Sequence, residues 1–424
     1  MRLLLISLLA FAAGLGVLLA RDDSSPAARR VERPVLTGTS SDIPALQRAV
    51  RAGRGDLRPA LASAYLQRAR ETADPSFYGR AQGVLRTPRT PEALATAGEL
   101  ALARHDFRGA LALGARAGTL GAPVRVDALV ELGRYRAAER ALQAMVDRKP
   151  NLSGYARVSY LRELHGDLAG AAAAMRLAVA AGGPAAENDA YVGALLGELE
   201  RRRGRPAAAR RAFERALVLD PGHPGAEAGL ARLDAERAGD PRAGAPASDA
   251  AARRGLAAAI ARLRPLVARL PLPEYVIALG EDELAAGRRA TAKRHFALVA
   301  AEQRLLRAAG VDTDVELAIF EADHGDPRRA VALARRGRRA APSTRAADAL
   351  GWALTRAGHP RAGYRWARRA LRLGSVDPLW RARAGLSAIA AGHRAEGEEH
   401  LRIALAHGLD GWPWQAERAK RALR

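Results

Sequence analysis

Three histidines recur at intervals of seven, His393, His400 and His407, with Glu396 and Glu399 beside them. Imidazole and carboxylate are ligand types for zinc and related ions, so this segment is the nearest the chain comes to a metal centre. Seven helical residues are two turns, which places His400 and His407 on one face about 10 Å apart. Ligands held about 2 Å from a shared ion cannot span that gap. Glu396 and His400, four residues apart, reach one another as a surface hydrogen bond. His324-Gly325-Asp326 reads as a turn. The chain contains no nucleophile elbow GxSxG, no HExxH, no phosphate loop GxxxxGK[ST] and no dinucleotide GxGxxG between a strand and a helix. It has no Cys, which removes thiol catalysis, disulfides and Cys-ligated metal. No catalytic residue, no cofactor and no metal are expected, and the chain is not expected to be an enzyme.

Composition points elsewhere. Of 424 residues 49% are hydrophobic and 27% charged, a globular balance, but only 4% are aromatic, so any core must be built of Ala, Leu and Val. Lys and Arg outnumber Asp and Glu by 68 to 45. Only Lys149, Lys293 and Lys420 are lysines, and a bias towards Arg, Ala and Gly is the simpler source of the excess. A net charge of +23 nonetheless gives a positive field that favours anionic partners. All five tryptophans lie at or beyond Trp352: with it Trp366, Trp380, Trp412 and Trp414.

The elements that position these residues follow from patterning. Residues 3–20 are an uninterrupted apolar stretch, about 27 Å as a helix, and read as a signal peptide or membrane anchor over residues 1–20. Arg21, Arg29, Arg30 and Arg33 outnumber Arg2 and favour a cytoplasmic body under the positive-inside bias, yet long domains translocate regardless of charge. An exported or anchored extracytoplasmic protein is the expectation, with the cytoplasm-facing orientation left open. Residues 21–41 read as a solvated linker. Beyond it a frame repeats: GRYRAAERALQAMVDRKP from Gly133, GRPAAARRAFERALVLDP from Gly204, GDPRRAVALARRGRRAAP from Gly325. A small residue after the turn falls at Ala110, Ala138, Ala171, Ala209, Ala259, Ala292, Ala330, Gly363 and Gly397, where two antiparallel helices need close approach. A Gly makes the turn, and Pro150, Pro221, Pro271 and Pro342 end the second helix. Leu-Gly recurs in the first helix at Leu196-Gly197, Leu279-Gly280 and Leu350-Gly351.

This pattern resembles the tetratricopeptide repeat, in an exported or membrane-anchored protein of bacterial type. The resemblance implies an all-α, right-handed solenoid of about nine to ten helix–turn–helix repeats. N-terminal repeats would occupy residues 42–238, an inserted Gly/Pro-rich loop 239–255, C-terminal repeats 256–411 and a capping helix 412–424. The stretch near 74–85 is a degenerate repeat. In the frame of that family, first-helix positions face the concave groove, which makes Tyr160, Glu163, Glu198, Arg201, Arg202, Glu281, Asp348, Trp352 and Arg356 the candidate binding residues. The residues following the helix-A glycine position, Tyr160, Glu198, Glu281, Ile319, Trp352 and Leu386, include no Asn, so a clamp for chaperone C-termini is not supported. The expected function is a non-catalytic protein-interaction scaffold holding a protein or peptide in that groove. A basic superhelix binding an anionic polymer is the alternative, with nucleic acid its weaker form because base-stacking aromatics are sparse. A membrane is expected to be met only through the N-terminal segment. Partner identity and oligomeric state are not legible.

Overall fold

The computed structural model describes residues 39–183, 185–237 and 249–424. The expected leader and most of the expected linker fall outside them. Among the described residues there are 22 α-helices and no strand, and no helix is long and apolar enough to cross a membrane. A leading helix, α1 (Ile43–Arg51), precedes ten antiparallel hairpins. These are α2 (Arg58–Thr72) with α3 (Ser76–Leu85), α4 (Pro91–Ala103) with α5 (Phe107–Arg116), α6 (Ala122–Glu131) with α7 (Tyr135–Arg148), and α8 (Leu152–Leu164) with α9 (Leu168–Ala181). Next come α10 (Ala186–Arg202) with α11 (Pro206–Leu219), α12 (Pro224–Arg237) with α13 (Asp249–Arg269), and α14 (Pro273–Ala285) with α15 (Arg289–Ala308). The last three are α16 (Asp314–His324) with α17 (Pro327–Ala340), α18 (Thr344–Arg356) with α19 (Pro360–Ala370), and α20 (Pro378–Ala390) with α21 (Arg394–Ala406). Helix α22 (Pro413–Leu423) closes the C-terminal end against α14, α20 and α21.

The small-residue frame has a physical basis. Its seven alanines are all fully buried. Eight of its nine positions are the fourth residue of a second helix, from Ala110 in α5 to Gly397 in α21. The ninth, Ala259, sits deeper because α13 begins at Asp249. Residues 249–255 of the expected inserted loop are therefore helical, and residues 238–248 lie outside the described part of the chain. The extra length that lengthens this interval goes at least partly into helix. The first-helix glycines admit an aromatic ring onto the backbone. A Cβ on Gly197 would meet the Phe213 ring at 2.5 Å and one on Gly280 the Phe296 ring at 2.4 Å. Where the second helix offers Gly instead, the backbones themselves touch: a Cβ on Gly363 would lie 2.7 Å from the Gly351 carbonyl oxygen. Pro starts α4, α11, α12, α14, α17, α19, α20 and α22, where its missing N–H costs nothing. Asp106, Asn151 and Asp167 cap α5, α8 and α9 by accepting from the N–H of Gly109, Gly154 and Gly170.

The solenoid winds so tightly that its second turn rests on its first. The turn inside hairpin α4/α5 meets the connection before α16, where Asp312 donates its N–H to the Arg104 carbonyl at 3.0 Å and the His105 ring contacts the Asp312 carbonyl. Tyr135, at the α6/α7 turn, bonds Thr344 Oγ1 at 2.9 Å and accepts the Thr344 N–H at 2.8 Å. Gly166, at the α8/α9 turn, lies against Gly374. Arg201 donates to the Gly408 carbonyl at 2.9 Å, and the His407 ring meets the Arg202 carbonyl at 3.1 Å. Each contact joins a hairpin to the sixth one after it, or to the cap.

Candidate functional site: an acidic cavity at the first stacked junction

The first helices of successive hairpins lie side by side, and the charges they carry pair within and between neighbours. Eight of the nine candidate residues are buried. Glu163 is paired with Arg202. Glu198 receives Arg201 at 2.7 Å and Arg232 at 3.6 Å, while Arg201 also grips Glu236. Burial works against the charge on Glu198, but Arg201 and Arg232 outweigh it and hold the carboxyl below its ordinary range. Glu281 meets the His324 ring at 2.9 Å. Asp348 is bound by Arg383, and Trp352 donates its Nε1–H to Asp323 at 3.0 Å. Tyr160 is enclosed, and burial pushes its phenol well above the usual value. Arg356 alone stays exposed, its Nε donating to the Ala322 carbonyl at 3.0 Å. The buried candidates are thus held in internal ion pairs and hydrogen bonds.

The C-terminal tryptophans and histidines have structural partners. Trp412 lies beneath the guanidinium groups of Arg201 and Arg232, at 4.7 and 5.1 Å, and Trp414 packs on the His324 ring at 4.7 Å. His393 stacks on Tyr364, His407 serves the junction above, and His400 lies 3.6 Å from Glu396. Among the described residues, no group of three His, Cys, Asp or Glu side chains is placed to hold a metal ion.

One opening lies where two turns of the solenoid meet. The first stacked junction along the chain, between the α2/α3 turn and the connection before α14, holds a cavity of about 170 Å³. Its walls are largely apolar, formed by Leu66, Ala69, Ile277, Val299 and Phe320, with Tyr191 and Tyr275 among them. Arg70 of α2 reaches Glu187 of α10 at 3.2 Å beside it. Six carboxylates line the cavity, Glu71, Glu99, Glu187, Asp220, Glu274 and Glu316, against one arginine, Arg70. In a chain of net charge +23 this is a local reversal of sign. Glu99 is only 7% exposed, and its Oε2 has no hydrogen-bond partner. Burial pushes this carboxyl well above the ordinary range, against the pull of Arg70 and Arg157. Glu316 is also shielded from water, but Arg345 at 2.5 Å overrides that penalty and keeps its carboxyl below the usual value. Burial lowers the His223 imidazole to about 4, so it is neutral at physiological pH.

None of these cavity residues was singled out by the repeat frame, although one was within its reach. Gly98-Glu99 repeats the Gly-Glu step of Gly197-Glu198 and Gly280-Glu281. It lies next to the degenerate stretch at 74–85, where the flanking turn and terminator signals are weak. The remaining cavity residues come together only through the stacking of turns.

Residues 192–233, which run from α10 through α11 into α12, match the family described as tetratricopeptide repeat. No curated protein matches the chain. Among solved structures, the human IFIT1 dimer with PPP-AAAA is 14% identical, with 95% of this chain and 94% of that one covered at a TM-score of 0.48. The Cut9–Hcn1 hetero-tetramer of APC/C is 15% identical, covering 92% and 96% at 0.32. The P58(IPK) TPR domain is 14% identical, covering 78% and 98% at 0.23. Identities and scores this low carry no ligand or partner across. On its own hairpin geometry, the described part of the chain is an all-α helical-repeat solenoid, and residues 192–233 within it match the tetratricopeptide repeat.

Proposed function

We propose that the protein is a non-catalytic scaffold that holds a partner protein by an extended segment at the mouth of the axial cavity. Hairpin solenoids present one continuous inner face to partners. The observation that carries the reading is where this face remains accessible. Around Glu163, Glu198 and Asp348 it is filled by its own ion pairs, whereas the junction between α2/α3 and α14 leaves an apolar-walled opening. Affinity capture on the full chain, from extracts of its own cells and washed at low and then high salt, tests this. One or a few proteins surviving the high-salt wash, and lost from a Leu66→Trp variant that fills the cavity, is the expected result. Retention unaffected by filling the cavity would place the partner elsewhere.

A second reading has its own observation. Helices α17 and α19 together carry ten arginines and no Asp or Glu. Trp366 is held between Arg338 and Arg369, each 4.4 Å from its ring. Such a face suits an anionic polymer, and binding there would fall steeply with salt. Material captured at low salt and wholly released at high salt would favour it. Placement outside the cytoplasm, by a signal or anchor at residues 1–20, is proposed on the sequence alone.

A further inference from the structure

The cavity has the chemistry of a ligand site in its own right. A buried carboxylate oxygen without a partner costs free energy, and natural folds seldom retain one without a use. Glu99 Oε2 is such an atom, and Glu99 lines the cavity together with Glu316, whose Oε2 is likewise buried without a partner. Basic groups do reach this region: Arg70 is engaged by Glu187, and Arg345 by Glu316. Neither bonds Glu99. What would complement the site is a positive hydrogen-bond donor attached to an apolar body. The body would lie against Leu66, Val299 and Phe320, and the aromatic rings of Tyr191 and Tyr275 suit a cation as well. Size agrees: a dry apolar cavity of about 150 Å³ takes a molecule of roughly six heavy atoms.

We propose that this cavity binds an organic cation, an alkylammonium or alkylguanidinium group with a short apolar stem, whose charged head is held by Glu99. Burial raises the Glu99 carboxyl, and an arriving cation supplies a counter-charge that favours its ionised form. The head would exchange its water for a charge-assisted hydrogen bond in a low-dielectric setting, where such bonds are strongest. The inference stands apart from the scaffold reading, since a free amine would fill the cavity whether or not a protein partner exists. The same chemistry is also presented by a lysine or arginine side chain of a bound segment.

The test is calorimetric titration of the full chain with pentylammonium and butylguanidinium, beside 1-pentanol as a neutral probe of similar size. Saturable binding of the cations, at least about tenfold tighter than of the alcohol, is expected. Glu99→Gln keeps the shape and removes the charge, and should weaken cation binding by about tenfold or more while leaving the alcohol unchanged. Circular dichroism and thermal unfolding of the variant confirm that it folds. Equal binding of charged and neutral probes, no effect of Glu99→Gln in the folded variant, or no saturable binding of the cations each overturns the proposal. Two arms identify the source. A short capped peptide with one central arginine that binds at least as tightly as butylguanidinium assigns the site to a side chain of a partner. A peptide that does not bind where the small cations do assigns it to a free amine.

Discussion

A guanidinium taken out of water must find its charge and its hydrogen bonds inside the protein, and the interior of this solenoid is full of such bargains. Arg157 is 1% exposed, bound to Asp127 at 2.6 and 2.8 Å and donating to the Ser153 carbonyl at 3.0 Å. Removing one partner leaves the other charge buried and alone, so Arg157→Ala should destabilise the fold by about 3–5 kcal/mol, read as a fall in the urea midpoint. Replacing both residues by apolar ones of similar size should cost far less, and equal losses in the two cases would contradict the assignment. Glu131 behaves differently, because burial outweighs the pull of Arg345 and lifts its carboxyl to about 7. A carboxyl with a raised folded-state pKa binds more protons folded than unfolded between about 4.5 and about 7. Its contribution therefore falls as pH rises through that window, by about 3 kcal/mol at most. His223, neutral when folded, works in the opposite sense at the acid end. The clean measurement is thus the difference between wild type and Glu131→Gln: the variant should be the more stable at pH 8 and nearly equal at pH 4.5. At this scale the sequence told which residues share a face and nothing about their pairing. Glu163 and Arg202 lie 39 residues apart, and only the angle between successive hairpins brings them together.

Elements were far more legible than sites, because a repeated steric demand leaves a repeated residue. The fourth residue of the second helix must be small wherever two backbones pack at their closest, and Ala or Gly stands at each of the nine positions the frame marks. What misled was the Gly/Pro-rich composition of residues 239–255, read as one inserted loop. The interval from Ala209 to Ala259 contains a helix that starts seven residues early, and α15 runs for 20 residues in another long interval. Ala, Arg and Gly in a polar stretch do not declare whether they are helical. The closest contact gives the sharpest prediction. Ala favours helix over Gly by about 1 kcal/mol, so Gly363→Ala would stabilise an isolated α19. In the hairpin its Cβ would meet Thr355 Oγ1 at 2.1 Å and the Gly351 carbonyl oxygen at 2.7 Å. Packing should win, with a net loss of about 1–3 kcal/mol and a lowered Tm. An unchanged or raised Tm would mean that α18 and α19 do not approach as described.

At the scale of the whole molecule the decisive feature is the pitch, and here the sequence is silent for a physical reason. The junctions between turns are made largely by backbone groups, such as the carbonyls of Arg104, Gly408 and Arg202, and by glycines that let two turns touch. Backbone groups are present at every residue and leave no pattern. Gly166 shows the demand: its φ is +82°, and a Cβ would lie 2.5 Å from the Gly374 carbonyl oxygen. If stacking holds the turns together, then the two halves of the chain should remain one body after the covalent link is cut. A protease site inserted between Arg237 and Asp249 tests this in the full chain. After cleavage the two pieces should co-elute as one species in size exclusion, held by the α12/α13 core around Ala231, Ala235 and Ile260 and by the stacked junctions. The α12/α13 core alone would give the same elution, so a second variant separates the contributions. Gly166→Val adds both a strained φ and the clash with Gly374, and leaves that hairpin untouched. The cut Gly166→Val protein should dissociate at least about tenfold more readily on dilution, the equivalent of about 1.4 kcal/mol at one junction. Equal dissociation of the cut parent and the cut variant would mean that the turns lie side by side without contributing to cohesion.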